Sequence, residues 1–125
     1  MDKMEIYKKI AAVQTETELN AVYNELFDRF GPIPDEVNSL LNLAKIRIIC
    51  HKLSISSLKE RGGKVTVEFS QVAKISIDKV LRLIKTSSGR VKLDSAHPNM
   101  LLLMTGNISL NEKSDFILDK LEALN

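Results

Sequence analysis

The sequence holds a single cysteine, Cys50, so no disulfide can form within the chain, and the disulfide framework of many small secreted domains is excluded. Tryptophan is absent and aromatic residues make up only 5 %, which leaves few platforms on which the bases of a single-stranded nucleic acid could stack. No stretch approaches the ~18 uninterrupted apolar residues of a membrane span, and the opening MDKMEIYKKI lacks the apolar run of a signal peptide. Neither sign of charge prevails. Lys and Arg number 18 against 16 Asp and Glu, a net of +2, which argues against a strong electrostatic claim on DNA, RNA or anionic lipid. A reducing, cytoplasmic setting is the expectation.

What is present is ordinary for one modest core: 125 residues, 44 % hydrophobic and 27 % charged. Asp2 with Glu5 has the spacing of a capping box, and Ile6, Tyr7 and Ile10 give the segment after it an apolar side, so a short first helix is expected. Thr15 with Glu18 repeats the pattern. Leu19, Val22, Tyr23, Leu26 and Phe30 then recur at spacings of three and four and predict one buried face of a second helix. Gly31 suits the left-handed position past its end, and Pro32 blocks continuation. A third helix restarts at once. Pro34 suits its first position, and Asp35 and Glu36 suit its positive end. Val37, Leu40, Leu41, Ala44 and Ile48 form one stripe, which Leu43, Ile46, Cys50 and Leu53 widen into the profile of a central helix.

Near residue 54 the period changes, a candidate boundary between two lobes. ISSLKE and KVTVEF read as strands joined across Gly62-Gly63. SIDKVLRLIKTSSG returns to helix, RVKLDS and NMLLLMTG read as two further strands, and EKSDFILDKLEAL closes as a helix. The expected fold class is α+β: N-terminal helices followed by a small, mostly antiparallel sheet of about four strands with helices packed against it.

No constellation for catalysis emerges. Cys50 and His51 are neighbours on a helix and point about 100° apart, so they converge poorly on one metal, and His97 is the only other histidine. RGGK lacks the spacing of a phosphate-binding loop and precedes a strand rather than a helix. Lys45, Arg47 and Lys52 read as the solvated edge of the central helix. No catalytic, cofactor-binding or metal-ligating residue is therefore assigned, and the domain is expected not to be an enzyme.

The informative stretch is ELFDRFGPIP, residues 25–34. With Leu26 and Phe30 placed toward the core, Asp28 lies about 160° from Leu26, and Glu25 about 60° from Asp28. Both carboxylates can therefore reach one outer surface. Glu25 and Arg29 form an i,i+4 pair worth roughly 0.2–0.5 kcal/mol. Asp28 is unfavourable where it stands, because a carboxylate in the last turn meets the negative end of the helix dipole. A locally unfavourable choice can mark a functional constraint.

ELFDRFGPIPDEV, with Leu40-Leu41 and Ala44-Lys45 beyond it and YKKI upstream, resembles the C-terminal domain of the bacterial transcription-repair coupling factor, Mfd. The resemblance is sharp over residues 3–55 and one of element pattern beyond them. Lys3 stands where the family usually has arginine, and Ser54 where it usually has glycine. The resemblance implies a lead-in helix over residues 1–14 and a single C-terminal regulatory domain over residues 15–125, cut from a larger ATP-dependent DNA translocase of transcription-coupled nucleotide excision repair. It further implies a non-catalytic, autoinhibitory clamp on a UvrB-like N-terminal domain, masking that domain's UvrA-binding surface until RNA polymerase is engaged. Glu25, Asp28 and Arg29 would form the interdomain interface. Phe30, Gly31, Pro32 and Pro34 would fix the helix junction that presents it. The resemblance implies no cofactor, membrane or small-molecule substrate; UvrA, RNA polymerase and double-stranded DNA enter only through the full-length protein. The alternative reading is a small nucleic-acid-binding module that uses the basic residues of the central helix or the sheet.

Overall fold

The structure, a computed structural model, describes residues 2–125, Ala73 through its backbone alone. The chain forms two compact units, one ending at Ile48 and one running from Ile49 to Asn125.

The first unit is helical. Asp2 caps α1 (Lys3–Ala12) by accepting the Glu5 N–H at 2.9 Å, and the Thr15 hydroxyl caps α2 (Glu16–Phe30) by accepting the Glu18 N–H at 3.1 Å. The Glu18 carboxylate accepts the N–H of Gln14 at 3.1 Å, one residue earlier than a strict capping box would have it. Helix α3 (Asp35–Lys52) begins one residue after Pro34, whose carbonyl accepts the Asn38 N–H at 2.9 Å. Ile10, Val13, Leu19, Leu26, Leu41, Ala44 and Ile48 make the core, with Val22, Val37 and Leu40 packed against it. Burial of each valine, leucine or isoleucine among them is worth about 1.5–3 kcal/mol.

Three apolar residues are not where the periodicity put them. Tyr23 and Phe30 are 42 % and 51 % exposed, and Leu43 is 54 % exposed. Helix α2 turns a narrower stripe inward, centred on Leu19, Val22 and Leu26; on a 100° wheel Tyr23 and Phe30 sit on its shoulder, about 40–60° from Leu26. Tyr23 instead stacks on Phe27, with ring centroids 6.3 Å apart and planes at 15°. Arg47 is also more than a solvated edge. Its guanidinium donates to the carbonyls of Val13 at 2.6 Å and Ile10 at 3.3 Å, at the C-terminal end of α1, where carbonyls lack the i+4 N–H of a continuing helix.

The second unit is a four-stranded antiparallel sheet with two helices, which makes the chain α+β as expected. Strands β1 (Ile55–Arg61), β2 (Lys64–Phe69), β3 (Val91–Leu93) and β4 (Met100–Met104) lie in the order β1-β2-β4-β3. Gly62 and Gly63 close the first hairpin with φ of 60° and 73°, the doubly left-handed turn that matches strand twist. Ser54 enters β1 at φ 56°, a left-handed conformation that a non-glycine residue adopts at a cost. Alternation sets the two faces. Val65, Val67, Phe69, Leu101, Leu103 and Val91 are buried on one side, toward α4 (Ile77–Thr86) and α5 (Leu110–Glu122), which contribute Leu83, Leu118 and Leu121. On that face Glu60 ties β1 to α5 through Lys113 at 3.1 Å and accepts the Thr105 hydroxyl at 3.2 Å.

Candidate interdomain interface at the end of helix α2

The end of α2 follows from its last residues. The Gly31 N–H donates to the Phe27 carbonyl at 2.7 Å with φ 74° and ψ −141°, a conformation glycine adopts without a Cβ penalty. Pro32 offers no N–H to prolong the helix, and α3 starts three residues later. A two-proline connection of this length narrows the angles at which two helices can meet.

On this scaffold Glu25 is half-buried, while Asp28, Arg29 and Phe30 are exposed. Glu25 has a partner that no local spacing announces. Lys9 Nζ on α1 donates to both its carboxylate oxygens, at 2.8 and 2.9 Å, and Arg29 Nη2 approaches at 3.8 Å. The Lys9 hydrogen bond, aided by the charges of Lys9 and Arg29 and opposed by partial desolvation, holds the Glu25 carboxyl below the usual range. Asp28 has no ion pair among the described residues. The acidic surface therefore consists of one unpaired carboxylate, Asp28, beside one already shared by two cations.

Phe30 lies against a groove of about 220 Å³ whose walls include Ile6, Tyr7, Leu26, Ile33 and Val37. Lys3 and Glu36 stand at its rim, 3.9 Å apart. Arg29 and Phe30 thus border two different surfaces, one ionic and one apolar. Lys9 and the exposed Tyr23–Phe27 pair are the residues that sequence reasoning missed here. The i,i+4 spacing of the aromatics was visible; their outward direction was not.

Elsewhere the groups weighed for chemistry stay apart. Burial pushes the Cys50 thiol up, which disfavours the thiolate a nucleophile requires. Asp94 accepts the N–H groups of Ala96 and His97 and sits 3.4 Å from the His97 ring, a local turn that holds its carboxyl low, chiefly through the Ala96 N–H. Among the described residues no three of His, Cys, Asp and Glu form a group able to hold a metal ion. Among the described residues no helix is long and apolar enough to cross a membrane.

A family model described as the TRCF domain matches residues 1–80. The transcription-repair-coupling factor of Borreliella burgdorferi is 34 % identical over 123 residues, which is 98 % of this chain and 11 % of that protein. That of Escherichia coli is 34 % identical over 94 residues, 74 % of this chain and 8 % of that protein. A crystal structure of the C-terminal domain of a transcription-repair coupling factor superposes with a TM-score of 0.75, at 23 % identity, over 97 % of this chain and 77 % of that one. The fold is thus shared with that domain. The chain spans about a tenth of the length of the curated relatives it matches.

Proposed function

The chain belongs to the TRCF-domain family, and from that premise we propose that it is a non-catalytic regulatory domain, an autoinhibitory clamp within a larger coupling factor. In this reading the parent protein is an ATP-dependent, cytoplasmic DNA translocase of transcription-coupled nucleotide excision repair. The clamp holds a UvrB-like N-terminal domain and covers its UvrA-binding surface until RNA polymerase is engaged on double-stranded DNA.

The observation that carries the reading is Asp28: exposed, without an ion pair among the described residues, and placed in the last turn of α2 against the helix dipole. Such a carboxylate costs the isolated helix something and gains most by accepting from an arginine of a partner domain. Glu25 stands beside it with its charge held ionised by Lys9 and Arg29. An incoming arginine would add to, or compete with, cations already there. Contacts of this kind are individually modest and release readily, which a switch requires. Gly31, Pro32 and Pro34 set the direction in which the surface is presented.

Calorimetric titration of this chain with the UvrB-like domain of the same protein tests the proposal. The wild type is run beside Asp28→Lys and Glu25→Gln/Asp28→Lys, each checked for folding by circular dichroism. Loss of binding in folded variants supports the clamp at this surface, and retained binding moves the contact elsewhere. Absence of binding between separate domains and in a linked fusion, where the effective concentration reaches the ~mM range, overturns the clamp.

A further inference from the structure

The second unit carries a surface that the clamp does not use. On the sheet face opposite α4 and α5, the register places side chains in rows. Arg61 stands opposite Lys64, and Lys64 opposite Met104. In the next row Lys59, Thr66, Leu102 and Lys92 stand side by side across all four strands. Beyond it come Ser57, Glu68 and Met100. Alternation confirms the facing: Met100, Leu102 and Met104 are half-buried while Leu101 and Leu103, between them, are buried.

Lys59, Arg61, Lys64 and Lys92 are all exposed, and none has an ion pair among the described residues. Lysine on an edge strand has an ordinary use, the blocking of edge-to-edge association, and that covers Lys59 and Lys92 on β1 and β3. It does not cover Lys64, which lies on the inner strand β2. Nor does it account for Arg61 directly opposite Lys64, a like-charge pair that opposes the hairpin it sits in. The cost of that pair is recovered when an anion lies over it.

The pattern also states what kind of anion. Between Lys64 of β2 and Lys92 of β3 runs the half-buried stripe of β4, Met100, Leu102 and Met104. The centre of the face is apolar and deformable, since methionine adapts its shape to what covers it. A phosphate backbone offers nothing to such a stripe, and no aromatic side chain stands in these rows to stack a base. We propose that this face docks an acidic amphipathic helix from another polypeptide segment, laid along β4. Alternate residues of β4 are ~6.7 Å apart, close to the ~6 Å rise between helix positions i and i+4. The two strands flanking β4 are ~9.6 Å from each other, about the width of a helix, so carboxylates on its two sides fall over Lys64 and Lys92. The helix runs with its negative C-terminal end over Arg61 and Lys64 and its N-terminal end toward Glu68.

The proposal is independent of the clamp at α2, because every residue it uses lies in the second unit. It is tested by titrating the isotope-labelled chain with a synthetic helical peptide that carries leucine at i, i+4 and i+8 and glutamate on both flanks. A peptide with lysine replacing each glutamate and a short DNA duplex serve as parallel probes. Saturable amide shifts confined to β2, β3 and β4 with the acidic peptide, weakened by salt, are expected. Lys64→Glu/Lys92→Glu should raise Kd at least ~10-fold in a still-folded chain, whereas Lys74→Glu/Lys85→Glu, off this face, should leave it within ~2-fold. Absence of saturable shifts, equal binding of the lysine peptide, shifts mapping to another surface, or preference for the duplex overturns it.

Discussion

Lys9 on α1 holds both oxygens of the Glu25 carboxylate on α2, at 2.8 and 2.9 Å, across sixteen residues of sequence. This two-point ionic tie joins α1 to the proposed interface, and it makes the two respond together. A partner arginine that draws Glu25 away loosens α1, and a displacement of α1 frees the carboxylate.

The tie has a pH signature. The Glu25 carboxyl is held below its ordinary value, so its contribution is fully present above the unfolded carboxylate pKa of about 4.3 and is lost as pH falls through the lower folded value. Wild type should therefore resist urea better than Lys9→Met at pH 7, with the gap closing toward pH 3. Midpoints read from α1 and α2 amide signals at the two pH values check this. A gap that persists at acid pH would assign the loss to the lysine stem rather than to the ion pair.

Leu26 and Phe30 are four residues apart on α2 and differ sharply in burial, at 2 % and 51 % exposed. Leu26→Ala should cost about 2–5 kcal/mol, the range for a leucine removed from a packed core. Phe30→Ala, at a half-exposed side chain, should cost under about 1 kcal/mol. Thermal unfolding of the two variants separates them, and comparable losses would return Phe30 to the core.

What could be read from the sequence was local. The caps at Asp2 and Thr15, the left-handed Gly31 and the Gly62-Gly63 turn each depend on residues within four positions, and all four are present. What could not be read depends on distance along the chain. No spacing announces that Lys9 meets Glu25 or that Arg47 reaches Val13. The position of β4 between β2 and β3 is likewise set by non-local pairing. Tyr23 and Phe30 were misplaced for a different reason: a periodic stripe gives the direction of a helix face but not its width. The motif around residues 25–34 pointed to the family, whereas physics alone left its carboxylates as one surface among several.

The two hairpin glycines share a backbone conformation but not an environment. A Cβ on Gly62 meets open space, so Gly62→Ala carries only the left-handed penalty of about 1–2 kcal/mol. A Cβ on Gly63 would stand 2.9 Å from the Gly106 Cα and 3.4 Å from its N, where the Thr105 N–H donates to the Gly63 carbonyl at 2.8 Å. Gly63→Ala should cost about 1–3 kcal/mol more than Gly62→Ala, the toll of overpacking. Equal shifts in Tm for the two would mean that β2 and the segment after β4 can separate without loss.

Arg47 gives the last prediction. Its terminal Nη2 donates to the carbonyls of Val13 and Ile10 at the C-terminal end of α1, a place where cations are favoured by the helix dipole. Hydrogen bonds from a charged group are worth about 1.5–3 kcal/mol, and exposure of the arginine lowers that, so Arg47→Ala should cost about 1 kcal/mol. Arg47→Lys should recover only part of it, because the shorter side chain with its compact ammonium does not reproduce the reach of the planar guanidinium. Lys45→Ala, two residues away and exposed without an ion pair among the described residues, should change stability by under about 0.5 kcal/mol. Amide exchange in α1 is the sharper readout: it should quicken in Arg47→Ala and remain as in the wild type in Lys45→Ala. The same variant bears on the clamp. If α1 loosens when Arg47 is lost, Lys9 spends less time on Glu25, and the carboxylate becomes more available to a partner arginine. Arg47→Ala should then bind the UvrB-like domain at least as well as the wild type despite its lower stability, a combination that simple unfolding of the surface would not produce.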